Sequence, residues 1–305
     1  MKTEEIFTSD FKTEPYWWEG APLSPDDQET PPDKCDVLII GAGYTGLQAA
    51  IQTSQAGMNT VVIDAENLGF GCSTRNGGQI STCIKPTYFS LEKKYGDKLA
   101  RAIRAEGEAS LKFVSEFVKS NKIDCDLSIS GRFHGAYTPR HYERLARECD
   151  ATDREFLSGA YAVPKSEQHL ELGTDRYYGG IVFPHNANLH PAKYHSGLLA
   201  FAKSLGTQAI GFCRATDITR NATDFSIKTT KGPIAAKKVL IATNGYTADL
   251  VPHLQKRIIP IGSYIIATEE IPKAVMDRLF PTGRTITDSR KLVFYYRPSP
   301  DRQHI

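Results

Sequence analysis

Short apolar runs alternate with a longer mixed segment near the start of the chain. The run CDVLII (35–40) is apolar and β-branched, which is typical of a strand buried on both faces of a parallel sheet. The turn GAGYTG (41–46) follows at once, and LQAAIQTSQAG (47–57) has the composition of a helix that ends at a glycine. A second apolar strand, TVVID (60–64), completes a strand, helix, strand unit of about 30 residues.

Periodic patterns predict further helices. Apolar residues between Leu99 and Val118 recur at helical spacing, which predicts an amphipathic helix over 97–121 with its charges in solvent. Thr138 and Pro139 are typical of a capping residue and a first helical residue, and they predict a helix that continues through 140–157. Another helix is predicted over 191–206.

Alternating and apolar patterns predict strands over much of the remaining chain. The segments around 209–220 and 224–230 are expected to form a hairpin, and an apolar strand is expected to end at the Asn-Gly pair of 244–245. Strand material is also expected in LSISGRFHGAY (127–137), IIPIGSYIIATEE (258–270) and RKLVFYYRPSP (290–300). The first 34 residues carry no periodicity and predict an irregular arm, pinned to the body by Tyr16, Trp17 and Trp18.

Composition places the 305 residues among ordinary globular proteins, with 40% hydrophobic and 24% charged residues. The formal charge of +2 comes from interspersed acids and bases, so no basic stripe predicts nucleic-acid binding. The amino-terminal sequence MKTEEIFTSD lacks the apolar core of a signal peptide, and no apolar run has the length of a membrane span. These features predict a cytoplasmic protein.

Six cysteines are scattered along the sequence without CxxC spacing. The pattern therefore predicts neither a zinc site nor a dithiol redox pair, and the eight histidines show no triad or metal spacing either. We expect most of these cysteines to be small buried residues, and we interpret Cys72, in the segment 69–80, as a filler residue.

The turn GAGYTG has the spacing of a dinucleotide-binding turn. Gly41 permits the tight turn, Gly43 allows a pyrophosphate to approach the backbone, and Gly46 allows the helix to pack closely on the strand. Asp64 lies 23 residues after Gly41, at the distance where an acid accepts hydrogen bonds from ribose hydroxyls. Because an acid there repels a 2′-phosphate, the pattern favours FAD or NAD over NADP.

A second glycine-rich stretch, GFGCSTRNGGQI (69–80), distinguishes these two cofactors. An NAD dehydrogenase needs one phosphate turn, whereas a flavin ring must be covered by additional backbone. This stretch offers hydroxyl donors, a cation at Arg75 and close backbone approach at Gly77 and Gly78. It favours FAD, and a mobile glycine-rich loop is the alternative interpretation.

Four ordered motifs carry a resemblance to a known family. CDVLIIGAGYTGLQAAIQTSQAGMNTVVIDAE, GFGCSTRNGGQI, VLIATNGYT, and the pair IIPIGSYIIATEEIP and DSRKLVFYYRPSPD together resemble the FAD-dependent amine and amino-acid oxidase superfamily, which includes D-amino-acid oxidase, glycine oxidase and sarcosine oxidase. Within it, the chain is most similar to the gamma-glutamylputrescine oxidase branch. The resemblance implies an α/β fold, in which a Rossmann-like FAD-binding domain is interleaved with an α+β substrate domain built on a largely antiparallel sheet.

The resemblance also implies a set of FAD-binding residues. They fall in the phosphate turn and its helix, at the end of the second strand, in the second glycine-rich stretch, beside the adenine and in the ATNGYT motif. These residues are Gly41, Gly43, Tyr44, Thr45, Gly46, Asp64, Ala65, Gly71, Ser73, Thr74, Arg75, Asn76, Gly77, Gly78, Gln79, Ala215, Ala242, Thr243, Asn244 and Gly245.

On the substrate side, Tyr295 and Tyr296 cannot both face the flavin, because neighbouring side chains of a strand point to opposite faces. The resemblance favours Tyr296 as a catalytic residue, with Arg297 or Tyr295 as alternatives; sheet-packing aromatics are the other interpretation. The implied reaction oxidises the C–N bond of a small amine by hydride transfer to flavin N5. Imine hydrolysis follows, and dioxygen or another acceptor takes the electrons.

The predicted domains are an arm (1–34), an FAD-binding domain (35–85 with 190–250) and a substrate domain (86–189 with 251–305). Family members continue beyond the point equivalent to Ile305, so the chain is expected to be truncated at its carboxyl end. Three functions therefore stay open: an FAD-dependent amine oxidoreductase, an NAD-linked dehydrogenase, and an inactive FAD-binding fragment or a subunit completed by a partner chain.

Overall fold

The structure is a computed structural model that describes residues 10–23, 29–156 and 158–305, apart from the side chains of residues 153 and 154. The first nine residues and residues 24–28, both in the predicted arm, lie outside the described residues. So does residue 157, the last residue of the helix predicted after Pro139.

Both helices and strands occur along the described chain. The helices are α1 (Trp17–Gly20), α2 (Tyr44–Gln55), α3 (Tyr88–Tyr95), α4 (Asp97–Ser120), α5 (Pro139–Phe156), α6 (Pro191–Ser204), α7 (Pro252–Gln255) and α8 (Lys273–Leu279). The strands are β1 (Lys34–Ile40), β2 (Thr60–Ile63), β3 (Gln79–Ile80), β4 (Arg132–Gly135), β5 (Tyr161–Val163), β6 (Gly180–Phe183), β7 (Ala187–Asn188), β8 (Gln208–Ile210), β9 (Ala215–Arg220), β10 (Phe225–Thr229), β11 (Gly232–Ile241), β12 (Thr285–Asp288) and β13 (Tyr295–Tyr296).

Two compact units divide the chain. The first comprises the described residues of Met1–Asn76 and Pro191–Ile265, and the second comprises Gly77–His190 and Ile266–Ile305. The division falls after residue 76, whereas the predicted domains change after residue 85. The first unit ends at residue 265, whereas the predicted FAD-binding domain ends at residue 250.

The first unit is built on a six-stranded sheet with the strand order β8-β2-β1-β11-β10-β9. β1 pairs in parallel with β2 and β11, while β9, β10 and β11 form an antiparallel meander. Parallel neighbours need a crossover, which α2 supplies between β1 and β2. Leu38 and Ile39 are fully buried, as the continuous apolar run predicts for a strand covered on both faces.

The second unit is built on a five-stranded sheet with the order β13-β12-β4-β6-β5. Only the β12–β4 pair is parallel; the other pairs are antiparallel. Phe133, Tyr177, Phe280 and Ile286 belong to the apolar cluster packed on this sheet. The predicted α/β fold class is confirmed: the first sheet is of mixed orientation around its Rossmann-like parallel strands, and the second is largely antiparallel.

Several predicted elements appear with their expected ends. α4 covers the predicted amphipathic segment almost completely. α5 begins at Pro139, and the Thr138 hydroxyl accepts a hydrogen bond from the backbone N–H of His141 at 3.2 Å, which is the bond of an N-cap. Of the six cysteines, Cys35, Cys125, Cys149 and Cys213 are buried as expected, whereas Cys72 and Cys83 are exposed.

The strand predicted over residues 258–270 is wrong. No strand is assigned there, and β13 keeps only two residues of the last predicted strand. The side chains of Ile259, Ile261 and Tyr264 are 84%, 85% and 92% exposed. An apolar run forms a strand only where a neighbouring strand completes its backbone hydrogen bonds, so the pattern alone is insufficient.

None of the helices in the described part of the chain combines the length and the apolar content that a bilayer crossing requires.

We predict that Gly46→Ala destabilises the first unit by roughly 1–3 kcal/mol, because a Cβ at Gly46 would lie 1.9 Å from the Gly41 carbonyl oxygen. Gln52→Ala is the matched control, since Gln52 is an exposed residue of the same helix. Its free energy of unfolding is expected within about 0.5 kcal/mol of wild type. Chemical denaturation measures both values, and equal stability of the two variants would contradict the packing argument.

Candidate functional site

The turn between β1 and α2 holds two glycines that have no room for a side chain. Gly41 has φ +109°, and a Cβ there would lie 2.5 Å from the carbonyl oxygen of Ala242. A Cβ at Gly46 would meet the Gly41 carbonyl oxygen. α2 therefore begins against the end of β1, and the N-terminus of a helix is a position where an anion is favoured.

Asp64 holds this turn from the end of β2. Its two carboxylate oxygens accept hydrogen bonds from the backbone N–H groups of Ala42, at 2.8 Å, and Glu66, at 3.1 Å. Burial raises the pKa of the Asp64 carboxyl above its ordinary value, although these N–H groups and that of Ala65 favour the ionised form. The acid predicted to bind a ribose thus lies beside the glycine turn.

The second glycine-rich stretch is folded rather than loose. Residues Cys72–Thr74 form a 3-10 turn, and the Ser73 hydroxyl accepts a hydrogen bond from the Tyr44 N–H at 3.1 Å. Asn76 donates to the carbonyl groups of Cys72 and Ser73 at 3.1 and 3.2 Å. The stretch therefore brings Ser73 to the N-terminus of α2, where the sequence predicted a pyrophosphate.

Arg75 lies on an aromatic ring. Its guanidinium carbon is 4.3 Å from the centre of the Phe70 ring, and its Nη2 donates a hydrogen bond to the Phe70 carbonyl. This contact holds the cation in place through both its charge and its planar surface.

The ATNGYT motif closes the same turn from β11. The Ala242 N–H donates to the carbonyl of Ile40 at 2.8 Å, and the Thr243 and Thr247 hydroxyls lie 2.7 Å apart. Asn244 has φ +48° at the start of a 3-10 turn that also contains Gly245. Ala215 follows Cys213 by two residues, and the Cys213 N–H donates to the Asp64 carbonyl at 2.7 Å.

Sequence reasoning missed His195, because the eight histidines show no triad or metal spacing. The side chain of His195 is buried in α6, and its Nε2–H donates to the Ala42 carbonyl at 2.7 Å. A Cβ at Gly69 would lie 2.8 Å from the same ring. His195 thus contacts both glycine-rich stretches, and no local sequence signal could have shown it.

In the second unit, Tyr295 and Tyr296 lie in different surroundings. Tyr296 belongs to the edge of the apolar cluster, where its hydroxyl donates to that of Tyr177 at 3.2 Å and its ring meets Phe280 edge-on. Burial and the bond with Tyr177 raise the pKa of Tyr296. Tyr295 instead lies against Gly77, where a Cβ would be 3.1 Å from its ring.

A cavity of about 350 Å³ adjoins Tyr296 in the second unit. Tyr177, Phe280 and Arg290 also line it, together with Leu172, Thr174, Arg176, Leu279, Phe294 and Ile305. Arg290 is paired with the fully buried Asp288. The cavity therefore has mainly apolar walls, and its lining includes phenol and guanidinium groups.

Arg297, the other predicted catalytic residue, is buried and contacts backbone. Its Nη1 donates to the Leu189 carbonyl at 2.8 Å, and its Nε donates to the Pro298 carbonyl at 3.1 Å. Gly78 and Gln79 lie nearby: the Gly78 carbonyl accepts the Leu189 N–H at 2.9 Å, and Gln79 begins β3. These bonds tie three segments of the second unit together. A part of Arg297 in catalysis stays a prediction.

Within the described residues, no group of three His, Cys, Asp or Glu side chains is placed to hold a metal ion.

Comparisons with known proteins give consistent matches. A model of the DAO family, described as FAD dependent oxidoreductase, matches residues 36–305. Gamma-glutamylputrescine oxidoreductase of Escherichia coli (strain K12) is 30% identical over 270 residues, covering 88% of this chain and 63% of that protein. A probable oxidoreductase, OrdL, of Rhizobium meliloti (strain 1021) is 32% identical over 274 residues, covering 88% and 62%. The chain thus spans less than two thirds of the length of these curated relatives.

Solved structures show the same fold. Glycine oxidase from Geobacillus kaustophilus matches with a TM-score of 0.68 at 18% identity, over 90% of this chain and 70% of that one. L-amino acid deaminase from Proteus vulgaris matches with a TM-score of 0.69 at 16% identity, over 92% and 62%.

We predict that His195 makes the stability of the protein pH-dependent. Burial lowers the pKa of His195, so the unfolded chain binds more protons near and below pH 6.5, and stability falls as the pH falls. The slope from one histidine is at most about 1.4 kcal/mol per pH unit. His195→Gln keeps an N–H donor without titrating, so its free energy of unfolding should fall less between pH 7.5 and 5.5.

His134 serves as an internal reference, because burial lowers its pKa to about 4 and it is present in both proteins. The difference between wild type and His195→Gln therefore isolates His195. Parallel pH profiles of the two proteins would contradict the prediction.

Proposed function

Because the chain belongs to the family of FAD-dependent oxidoreductases, we propose that it oxidises the C–N bond of a small amine or amino acid. The prediction of FAD in place of NAD is confirmed by that membership. The observation that carries the proposal is the arrangement of Gly41, Gly46 and Asp64 around one turn.

The residues of the first unit fit the adenosine and pyrophosphate parts of FAD. The N-cap residue of α2 is Gly43, which has no side chain to cap the helix, and the N–H of Tyr44 donates to the Ser73 hydroxyl. The Asp64 carboxylate, fixed by two N–H groups, would accept hydrogen bonds from ribose hydroxyls. Ser73 would offer its hydroxyl beside the phosphates, and Arg75 would offer a positive charge.

Bound FAD would supply an acceptor for the hydride that the substrate loses from its α-carbon. The amine nitrogen loses a proton, and the resulting imine is hydrolysed by water to a carbonyl compound and an amine or ammonia. Dioxygen or another acceptor would take the two electrons. The chain's own task is to orient the substrate and to favour its uncharged amine.

We assign the substrate-facing position to Tyr295, one of the alternatives that strand alternation leaves open. Tyr296 makes the contacts of a packing residue, with its hydroxyl on Tyr177 and its ring on Phe280. Tyr295 is 41% exposed and lies on Gly77, in the stretch that the resemblance assigns to the flavin. Its ring is therefore the better placed of the two to contact a substrate.

The substrate class rests on a named relative. The Escherichia coli protein is named gamma-glutamylputrescine oxidoreductase, so a gamma-glutamylated polyamine is the first substrate to test. The activity of these 305 residues, the identity of the electron acceptor and the cytoplasmic location are parts of the same proposal.

We predict that the protein reconstituted with FAD is yellow and that gamma-glutamylputrescine bleaches it in the absence of oxygen and nicotinamide. Asp64→Asn should raise the Kd for FAD by roughly 10- to 100-fold, equivalent to about 1.5–3 kcal/mol for hydrogen bonds to a charged group. Asp217→Asn, which changes an acid on β9 paired with Lys228, is the control and should bind like wild type. Visible absorption and flavin fluorescence measure both quantities.

No flavin absorption after reconstitution would contradict the cofactor site. Flavin binding without bleaching by any amine, measured together with peroxide release, would contradict the proposed reaction but not the cofactor site.

We further predict different effects of two matched substitutions. Tyr295→Phe should lower kcat/KM about tenfold, because one hydrogen bond to the substrate is worth about 1.4 kcal/mol. Tyr296→Phe should leave kcat/KM within about twofold and lower the free energy of unfolding by about 1 kcal/mol through loss of the bond with Tyr177. Steady-state kinetics measures kcat/KM and chemical denaturation measures stability. A larger loss of kcat/KM in Tyr296→Phe than in Tyr295→Phe would identify Tyr296 as the residue that contacts the substrate.

A further inference from the structure

The arm that precedes β1 makes specific contacts with the first unit. It contains α1 (Trp17–Gly20), in which the side chain of Trp17 is 8% exposed. The family match begins only at residue 36, so the arm lies outside the part of the chain that the family pattern covers. Its contacts must therefore be explained from the structure of this chain.

Both indole N–H groups of the arm bind the second glycine-rich stretch. Trp17 Nε1 donates to the Asn76 carbonyl at 2.9 Å, and Trp18 Nε1 donates to the Thr74 hydroxyl at 2.9 Å. The Thr74 hydroxyl in turn donates to the Gly69 carbonyl at 2.6 Å, and Thr74 is fully buried. The arm thus binds residues 69–76 directly at Thr74 and Asn76, and Thr74 connects it to Gly69.

Trp18 also takes part in the aromatic surroundings of Arg75. The Trp18 and Phe70 ring centres lie 6.1 Å apart, and the Arg75 guanidinium carbon is 5.5 Å from the Trp18 ring centre. Because Arg75 lies near both rings, Trp18 limits the directions in which this cation can point.

Ser73 lies between the anchored ends, at the N-terminus of α2. A short segment that is held at Gly69, Thr74 and Asn76 has few conformations left for the residue in between, so a ligand that needs Ser73 in place loses less entropy on binding. The anchors on Thr74 and Asn76 come from residues more than 50 positions away in the sequence.

We propose that Trp17 and Trp18 are positioning residues, which hold residues 69–76 in the conformation that receives FAD and so set the affinity for the cofactor. The inference rests on the proposed cofactor site of the first unit. It adds a role for the arm, which neither the family match nor the named relatives assign.

The test measures the Kd for FAD of apoprotein variants by flavin fluorescence. Trp18→Phe keeps an aromatic ring and removes the N–H donor, and it should raise the Kd about tenfold, the equivalent of 1.4 kcal/mol. Trp17→Phe should act in the same direction. Lys12→Gln is the matched control. It removes an exposed ion pair between Lys12 and Glu19, which both lie in the arm, so it changes the arm without changing its bonds to residues 69–76. The Kd of this variant for FAD should equal that of wild type.

A double-mutant cycle separates positioning from general loss of packing. If Trp18 acts through the Thr74 hydroxyl, Trp18→Phe should raise the Kd in the wild-type background and have little further effect in a Thr74→Val background. Trypsin provides a second measurement that needs no flavin. Cleavage after Arg75 in the apoprotein should be faster in Trp18→Phe than in Lys12→Gln, at equal free energies of unfolding.

Wild-type affinity in both tryptophan variants would overturn the inference, as would an equal effect of Trp18→Phe in the two backgrounds. If the Trp17→Phe variant does not fold, the Kd of Trp18→Phe and the double-mutant cycle with Thr74→Val still test the inference. If wild type binds FAD and Asp64→Asn weakens it while the tryptophan variants do not, only the role of the arm fails. If wild type does not bind FAD, the cofactor site and the inference fail together.

Discussion

The close approach of α2 to the end of β1 is the constraint on which the first unit depends. A single Cβ at Gly46 would overlap the Gly41 carbonyl, and one at Gly41 would overlap the Ala242 carbonyl. Because the interior of a protein is close-packed, neither side chain could be admitted without moving a strand or a helix. In the proposed cofactor site, the same absence of side chains would allow a phosphate to approach the backbone at the helix start. Packing and the proposed anion binding would then depend on the same two glycines.

Polar groups from distant parts of the chain stabilise this turn. The Ala42 peptide is held on both sides, since its N–H donates to Asp64 and its carbonyl accepts from His195. Both side chains are removed from water to a large extent, which raises the pKa of the acid and lowers that of the histidine. Their hydrogen bonds offset the loss of hydration, and they orient the turn before any ligand arrives.

The second unit presents its chemistry differently. Its sheet has an apolar cluster on which Tyr296 and Phe280 pack, and the buried Arg297 binds backbone carbonyl groups. Tyr295, the next residue along the strand, contacts Gly77 instead. Adjacent residues of one short strand thus have separate roles, packing for one and proposed substrate contact for the other, because successive side chains of a strand point to opposite faces.

The sequence by itself determined the strand, turn, helix and strand from residue 35 to residue 64, the cap of α5 at Thr138 and the acid at the end of β2. These features depend on residues a few positions apart, whose spacing follows the period of one helix or strand. Only the tertiary structure decided that His195 binds Ala42, that the indoles of Trp17 and Trp18 bind Asn76 and Thr74, and which face Tyr296 occupies. It also decided that residues 258–270 form no strand. Each of these outcomes depends on which distant segment lies alongside, and apolar periodicity carries no information about that partner.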